Sequence, residues 1–228
     1  MKCIICENTI ENIREKVCKC DECEHVFRNY SAIDLKDYYT NLYRQKITPA
    51  VQTAPIKARG ATKLSLIGDY VCAADRVLEI GLGYGHFCDI FKEKFGLENY
   101  HACEIDENLS SAAKNKGIKV FGCSMQNIPE NSKYDVIISF DVLEHFYDPK
   151  HYKNKLLKLL NKTGKAIIQV PVNRTLHSKE PFDGHYHYFS EKSLRKLMEP
   201  EFKCKMILKT KRGQVANGEE ILSVFMLD

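Results

Sequence analysis

From Asp75 onward, apolar runs of strand length alternate with amphipathic stretches of helix length. Strand-like runs cover 76–80, 99–104, 118–122, 134–140 and 164–170. Two of them, Tyr134-Asp135-Val136-Ile137-Ile138-Ser139-Phe140 and Gly164-Lys165-Ala166-Ile167-Ile168-Gln169-Val170, are apolar nearly throughout, as strands buried on both faces are. Helical spacing fills 85–95, 108–115, 150–160 and 191–198. This alternation predicts βαβ units on a parallel sheet. The end of the chain differs: 203–210 and 220–227 read as two strands joined through Gly213 and Asn217-Gly218, an antiparallel hairpin.

Upstream, residues 31–70 read as helices and connectors. Tyr38, Tyr39, Leu42 and Tyr43 share one face, Pro49 and Pro55 interrupt the region, and a second apolar helix runs through Leu64, Ile67 and Val71. Residues 1–30 are short of apolar side chains and rich in cysteine. The predicted division is a small module at 1–30, a helical cap and connector at 31–73, and an α/β domain at 74–228. A chain of 228 residues has room for one such domain plus an appendage.

No stretch approaches the roughly 20 apolar residues of a membrane span. The start, Met1-Lys2-Cys3-Ile4-Ile5-Cys6, lacks the apolar core and cleavage site of a signal peptide. A cytoplasmic protein is expected, and there the ten cysteines are thiols or metal ligands rather than disulfides. Cys3-x-x-Cys6 and Cys20-x-x-Cys23 form two knuckles whose four thiolates suit a tetrahedral Zn²⁺. Cys18 could replace Cys20, and His25 could replace Cys23. So short and polar a segment has little core of its own, so the zinc is expected to be structural. Cys72, Cys88, Cys103, Cys123 and Cys204 are expected in the core.

The candidate chemistry begins at Val77-Leu78-Glu79-Ile80-Gly81-Leu82-Gly83-Tyr84-Gly85-His86-Phe87. An apolar strand with an acid is followed by three glycines at alternate positions and then by a helix. Glycines at such a turn let the backbone approach a ligand, and the helix start offers free N–H groups. A second acid, Glu104, ends the next strand. Together these features point to a nucleotide-like cofactor on an open α/β sheet.

The spacing Gly81-x-Gly83-x-Gly85 with Glu79 upstream resembles motif I of the class I S-adenosylmethionine-dependent methyltransferases. The resemblance extends over about 75–190. His101-Ala102-Cys103-Glu104-Ile105-Asp106 is similar to the second motif, which implies that Glu104 accepts from the ribose hydroxyls and that Asp106 caps a helix. Phe121-Gly122-Cys123-Ser124-Met125 resembles the adenine-holding segment. The family often has Asp at the position of Cys123, which leaves the adenine amino contact to Ser124 or to backbone. Phe140-Asp141-Val142-Leu143-Glu144-His145 resembles the fourth motif, between cofactor and acceptor. The implied fold is a Rossmann-like, doubly wound seven-stranded sheet of order 3-2-1-4-5-7-6 with its last strand antiparallel. Glu79 and the loop amides suit the amino-acid end of the cofactor, and Glu104 suits its ribose diol.

Methyl transfer to a hydroxyl needs a base. The candidates are His145, His185 and His187, the last two in Asp183-Gly184-His185-Tyr186-His187-Tyr188-Phe189, which resembles the segment crossing the family's acceptor pocket. These histidines could act as base or bind a metal, or the segment could be a packed loop. Net charge is +4, yet Lys150–Gly213 carries 16 Lys and Arg against 5 Asp and Glu. That excess fits solvated helix faces, such as Lys155, Lys158 and Lys162, or a field for an anionic acceptor.

No Asn/Asp-Pro-Pro-aromatic motif follows the fourth strand, and no Pro-Cys pair is present, which argues against nucleic-acid bases as acceptors. Residues 1–30 hold 5 Lys and Arg against 6 Asp and Glu, a poor phosphate binder. The chain resembles bacterial small-molecule methyltransferases with a zinc-ribbon-like start, whose acceptors include sugars, polysaccharide precursors and nucleotide-linked or phosphorylated metabolites. A ribosomal-RNA methyltransferase with a zinc finger and a non-catalytic cofactor-binding scaffold are the alternatives.

Overall fold

A computed structural model describes residues 1–10, 12–14, 16–29, 54–172, 184–211 and 219–228. In chain order the elements are β1 (Asn12–Arg14), β2 (Val17–Lys19), β3 (Val26–Arg28), α1 (Ala54–Leu66), β4 (Val77–Ile80), α2 (His86–Phe95), β5 (Tyr100–Cys103), α3 (Glu107–Asn115), β6 (Lys119–Phe121) and β7 (Tyr134–Phe140). They continue with α4 (Pro149–Leu159), β8 (Leu160–Pro171), β9 (His187–Tyr188), α5 (Glu191–Met198), β10 (Phe202–Lys211) and β11 (Glu219–Leu227). The tyrosine-rich stretch at 38–43 lies outside the described residues.

Seven strands make one sheet in the order β6-β5-β4-β7-β8-β11-β10. Strands β4 through β8 pair in parallel. Strand β11 runs antiparallel to both its neighbours, β8 and β10. Counted along the α/β domain, this is the expected order 3-2-1-4-5-7-6. The direction of chain travel across the sheet reverses at β4, which has β5 on one side and β7 on the other, so a crevice opens beyond their carboxyl ends.

The strands read as continuous apolar runs because both faces are covered. Along β7 the side chains alternate between two cores. Val136 and Ile138 join Leu64 of α1 and Phe87 and Phe91 of α2. Ile137 joins Tyr152 and Leu156 of α4 and Leu194 of α5. Helix starts follow local capping chemistry. Asp106 Oδ1 accepts from the N–H groups of Asn108 and Leu109 at the head of α3, and Asp148 does the same for Lys150 and His151 at α4. Ser190 and Ser193 cap α5 reciprocally. Pro55 does not interrupt a helix: it is the second residue of α1, where a missing N–H leaves no helical bond unmade.

A second, four-stranded sheet has the order β1-β2-β3-β9. Three strands come from the N-terminal module, and the fourth comes from the connection between β8 and α5. Strand β3 pairs antiparallel with β9 through Val26 opposite Tyr188 and Phe27 opposite His187. The module also shares the core of the α4–α5 face, contributing Ile5, Ile10, Phe27 and its buried cysteines.

Two local expectations change. Lys155 is not on a solvated face: it is buried on α4, and its ammonium donates to the Ile128 carbonyl at 2.6 Å. Cys72 is exposed, whereas Cys88 and Cys103 are buried and Cys123 and Cys204 are half-buried.

Candidate active site and cysteine cluster

Strand β4 delivers the chain into the glycine turn at the crevice. Gly81 has φ +76°, and a Cβ there would stand 2.4 Å from Val142 Cγ2, on the segment leaving β7. Close approach of the β4 and β7 exits therefore demands glycine. Gly83 has φ +55°, and a Cβ there would meet nothing within 4 Å. The turn is thus tight at Gly81 and open above Gly83, and Gly85 then caps α2 in the left-handed region.

Glu104, directly after β5, reaches under this turn. One carboxylate oxygen accepts from the Gly83 N–H at 2.7 Å and the other from the Asp106 N–H at 2.9 Å. A carboxylate has about four acceptor positions, so two remain for a ligand diol. Beside it, Ile105 is 61% exposed, an uncommon position for isoleucine on a domain this well buried. Cys123 accepts the Cys103 thiol on its carbonyl at 2.8 Å, Ser124 Oγ accepts the Gln126 N–H at 3.4 Å, and Met125 is buried.

Glu79 is buried in β4, and burial pushes its carboxyl up to about 8. The Tyr100 hydroxyl donates to it at 2.6 Å and opposes that rise. Lys63 of α1 sends its ammonium to 4.5 Å from the centre of the Phe140 ring, and burial lowers its proton affinity, with the charges of Asp141 and Glu220 opposing that shift only in part. Asp141 has φ +55° and accepts from the Gln169 amide at 3.3 Å, which holds it at the end of β7. Neither Tyr100 nor Lys63 is marked by any local motif. Tyr100 is recognisable only from the β4–β5 register, and Lys63 only from the packing of α1.

Just past β7 the structure brings together Glu144, His145 and His185. The Glu144 side chain is fully buried. Its Oε1 lies 4.0 Å from His145 Nε2 and 3.9 Å from His185 Nε2. The two imidazoles sit with ring centres 4.8 Å apart. His145 Nδ1 is 2.7 Å from the Gly184 carbonyl and therefore carries the proton, which turns Nε2 with its lone pair toward Glu144. Such a set can orient an imidazole and stabilise its cation.

The structure separates His187 from that pair. It is 2% exposed, its Nδ1 stands 3.0 Å from His25 Nε2, and its Nε2–H donates to the Tyr147 carbonyl at 3.3 Å. Burial lowers its proton affinity to about 4, so it is held neutral.

The sulfurs of Cys3, Cys6, Cys20 and Cys23 all lie within 4.8 Å of one another. Cys3 and Cys23 are 3.6 Å apart, and Cys6 and Cys20 are 3.4 Å apart. Four sulfurs about 2.3 Å from a tetrahedral Zn²⁺ stand about 3.8 Å from one another, so the set fits that ion. The two alternative ligands turn elsewhere: the Cys18 thiol points to Met1 Sδ at 3.5 Å, and His25 joins His187.

A family model described as methyltransferase domain matches residues 37–200. The chain belongs to this methyltransferase family. It is a methyltransferase of the S-adenosylmethionine-dependent kind, built on the Rossmann-like sheet described above. A search of curated proteins returned no match. Among solved structures, the methyltransferase resembles the Burkholderia thailandensis 1,6-didemethyltoxoflavin-N1-methyltransferase bound to 1,6-didemethyltoxoflavin and S-adenosylhomocysteine. The TM-score is 0.66 at 15% identity, over 93% of this chain and 99% of that one. It also resembles the N-methyltransferase NodS from Bradyrhizobium japonicum with S-adenosylhomocysteine, with a TM-score of 0.61 at 15% identity over 86% and 97% of the two chains. The [4+2]-cyclase SpnF shares the fold as well, with a TM-score of 0.62 at 10% identity over 75% and 81% of the chains, so the fold alone does not define the reaction. Among the described residues no helix is long and apolar enough to cross a membrane.

Proposed function

We propose that this methyltransferase transfers a methyl group to an oxygen or nitrogen of a small acceptor. The observation that carries the reading is the open turn over Gly83 and Glu104, with Gly81 packed against Val142 just ahead of the Glu144–His145–His185 set. The vacant space where a Gly83 Cβ would project and the spare acceptor positions of Glu104 suit the ribose of S-adenosylmethionine. In this reading Gly81, Gly83, Gly85 and Glu79 hold its amino-acid end, and Glu104 takes the ribose diol. The exposed Ile105 packs on the adenine, while Cys123, Ser124 and Met125 border its edge. Phe140 and Asp141 line the methyl-bearing end. When bound, the cofactor supplies an electrophilic methyl carbon on a sulfonium.

The chain's own part is to align the acceptor and receive its proton. We assign that proton to the imidazoles of His145 and His185, with the buried Glu144 side chain stabilising the imidazolium that forms. His187 enters this reading as support for the pair. The reading also includes a structural Zn²⁺ on Cys3, Cys6, Cys20 and Cys23, and a cytoplasmic setting in keeping with ten cysteines that form no disulfide.

The basic stretch lends limited support to an anionic acceptor, because many of its lysines already face acids. Lys150 meets Glu7 at 2.6 Å, and Lys153 and Lys158 meet Glu201 and Glu130 at 2.8 Å. Titration calorimetry with S-adenosylmethionine and S-adenosylhomocysteine tests the cofactor half. Micromolar binding of both supports it, and absence of binding by folded, zinc-loaded protein removes it. Metal analysis of protein purified without chelator tests the zinc.

A further inference from the structure

Strand β9 is two residues long, and so short a strand has no order of its own. Its backbone is held from outside by the N-terminal module. Val26 and Phe27 pair with Tyr188 and His187, the Arg28 N–H donates to the Tyr186 carbonyl at 2.8 Å, and Ser190 Oγ donates to the carbonyl of Cys23 at 3.1 Å. The same few residues carry the acceptor side of the crevice on their other edge. The Tyr186 N–H donates to the Glu144 carbonyl at 2.9 Å, and His145 Nδ1–H donates to the Gly184 carbonyl at 2.7 Å. His187 joins the two sides directly, with one ring nitrogen on His25 of the module and the other on the Tyr147 carbonyl, two residues past His145. His25 stacks on Phe27 and His187, with ring centres 5.7 and 5.1 Å away, and meets the tilted ring of Phe189 at 4.9 Å.

We propose that the cysteine module is the positioning device of the acceptor half of the site: through β3 and the His25–His187 contact it fixes His185 against Glu144 and His145. The proposal rests on the assignment of that trio to the acceptor's proton. It deepens that assignment by naming His25 and His187 as positioning residues and by coupling the cysteine cluster to catalysis. The cofactor half is independent of this coupling. Glu79, the glycine turn and Glu104 are held by β4, β5 and Tyr100. Loss of the cluster's order therefore releases the segment at 184–190, and with it the stretch at 143–147, while leaving the glycine turn in place. The module acts on geometry: its cysteines stand apart from the trio and touch no reacting atom.

Hydrogen exchange on the full-length protein tests this, before and after chelation of its metal and in a His25→Phe variant, which keeps the ring stack and all four cysteines. The expected result is exchange at least about tenfold faster at 184–190 and 143–147 in both cases, a local opening favoured by about 1.4 kcal/mol. Exchange at 77–90 and 100–106 and the affinity for S-adenosylhomocysteine are expected to stay within about twofold. A spectroscopic readout accompanies it: the nuclear Overhauser contact between the His145 and His185 rings, now 4.8 Å apart, disappears in His25→Phe. Faster exchange confined to residues 1–29, or an intact ring contact in His25→Phe, overturns the proposal. Protein that holds no metal when purified removes the zinc reading, while the His25→Phe arm still decides the coupling. If wild-type protein fails to bind S-adenosylhomocysteine, the cofactor reading fails, and the exchange pattern still reports on positioning.

Discussion

Replacing Glu79 by glutamine should change how stability depends on pH, and the structure sets the size of the effect. Glu79 is 4% exposed in the middle of the sheet, and its carboxyl is raised from the ordinary 4.5 to about 8, first by burial. In the unfolded chain it titrates near the ordinary value. Between those two pH values the native state holds a proton that the unfolded state has released. Stability therefore falls as pH rises, by about 1.4 kcal/mol per pH unit from this group alone. Below about 4.5 both states are protonated, and above about 8 both are ionised, so the loss accumulates in that window to about 5 kcal/mol. Glutamine is the neutral isostere, and its carbonyl still accepts from the Tyr100 hydroxyl, so the variant lacks only the ionisation. Urea unfolding of both proteins from pH 5 to 9 isolates the contribution of Glu79, because every other titrating group is common to the pair. The two should have similar stability at pH 5, and the variant should pull ahead steadily to pH 8. Parallel curves across that range would falsify the assignment of a neutral Glu79 at pH 7. In the proposed complex the cofactor's ammonium faces this carboxyl and favours its ionised form. Binding near pH 7 should then release a proton, seen as a calorimetric enthalpy that changes with the ionisation enthalpy of the buffer.

The glycine turn gives a paired test. Gly81→Ala forces a Cβ against Val142 in a left-handed backbone and should cost about 3 kcal/mol, near 10 °C in melting temperature, whereas Gly83→Ala should cost about 1 kcal/mol and instead weaken S-adenosylhomocysteine binding tenfold or more. The reverse pattern would mean that the open space above Gly83 is not the ligand's. Glu104→Ala removes charge-assisted bonds worth about 1.5–3 kcal/mol and should weaken the cofactor by at least about tenfold; unchanged affinity would place the ribose elsewhere. With a hydroxyl acceptor, His185→Ala should lower kcat by about 10²–10⁴ with cofactor affinity within about twofold, and full activity in that variant would return the proton to another group.

The features legible in the sequence are those fixed by near neighbours. The strands and helices of the α/β domain fall within a few residues of their predicted bounds, because burial on both faces leaves an unbroken apolar run and because Asp106, Asp148 and Ser190 cap within their own first turns. Each Cys-x-x-Cys knuckle, Cys3 with Cys6 and Cys20 with Cys23, is legible for the same reason. What the sequence hides depends on contacts between distant segments. Lys155 looks like one more lysine on a helix, and only the fold brings the Ile128 carbonyl to its ammonium. Cys72 falls beyond the α1 packing that would have buried it. His185 and His187 look equivalent in an alternating run, yet one faces Glu144 and the other reaches a histidine 162 residues earlier in the chain. That partner strand, β3, also explains why the N-terminal module is not a detached unit: its sheet is completed only by β9.

In the proposed reading, the two halves of the site differ in how they are built. The cofactor half arises from one contiguous β4–α2–β5 passage, whose turn, acid and cap are set by local sequence. The acceptor half is assembled from three separate stretches: the N-terminal module, the exit of β7, and the connection from β8 to α5. Substitutions in the module or in that connection can thus reshape the acceptor side while the glycine turn keeps its geometry. The β3–β9 strand pair links them through backbone bonds, with the His25–His187 contact beside it. A change of acceptor in related chains should accordingly track the module and the residues around His185 together, because altering one without the other breaks the register that aims the imidazole.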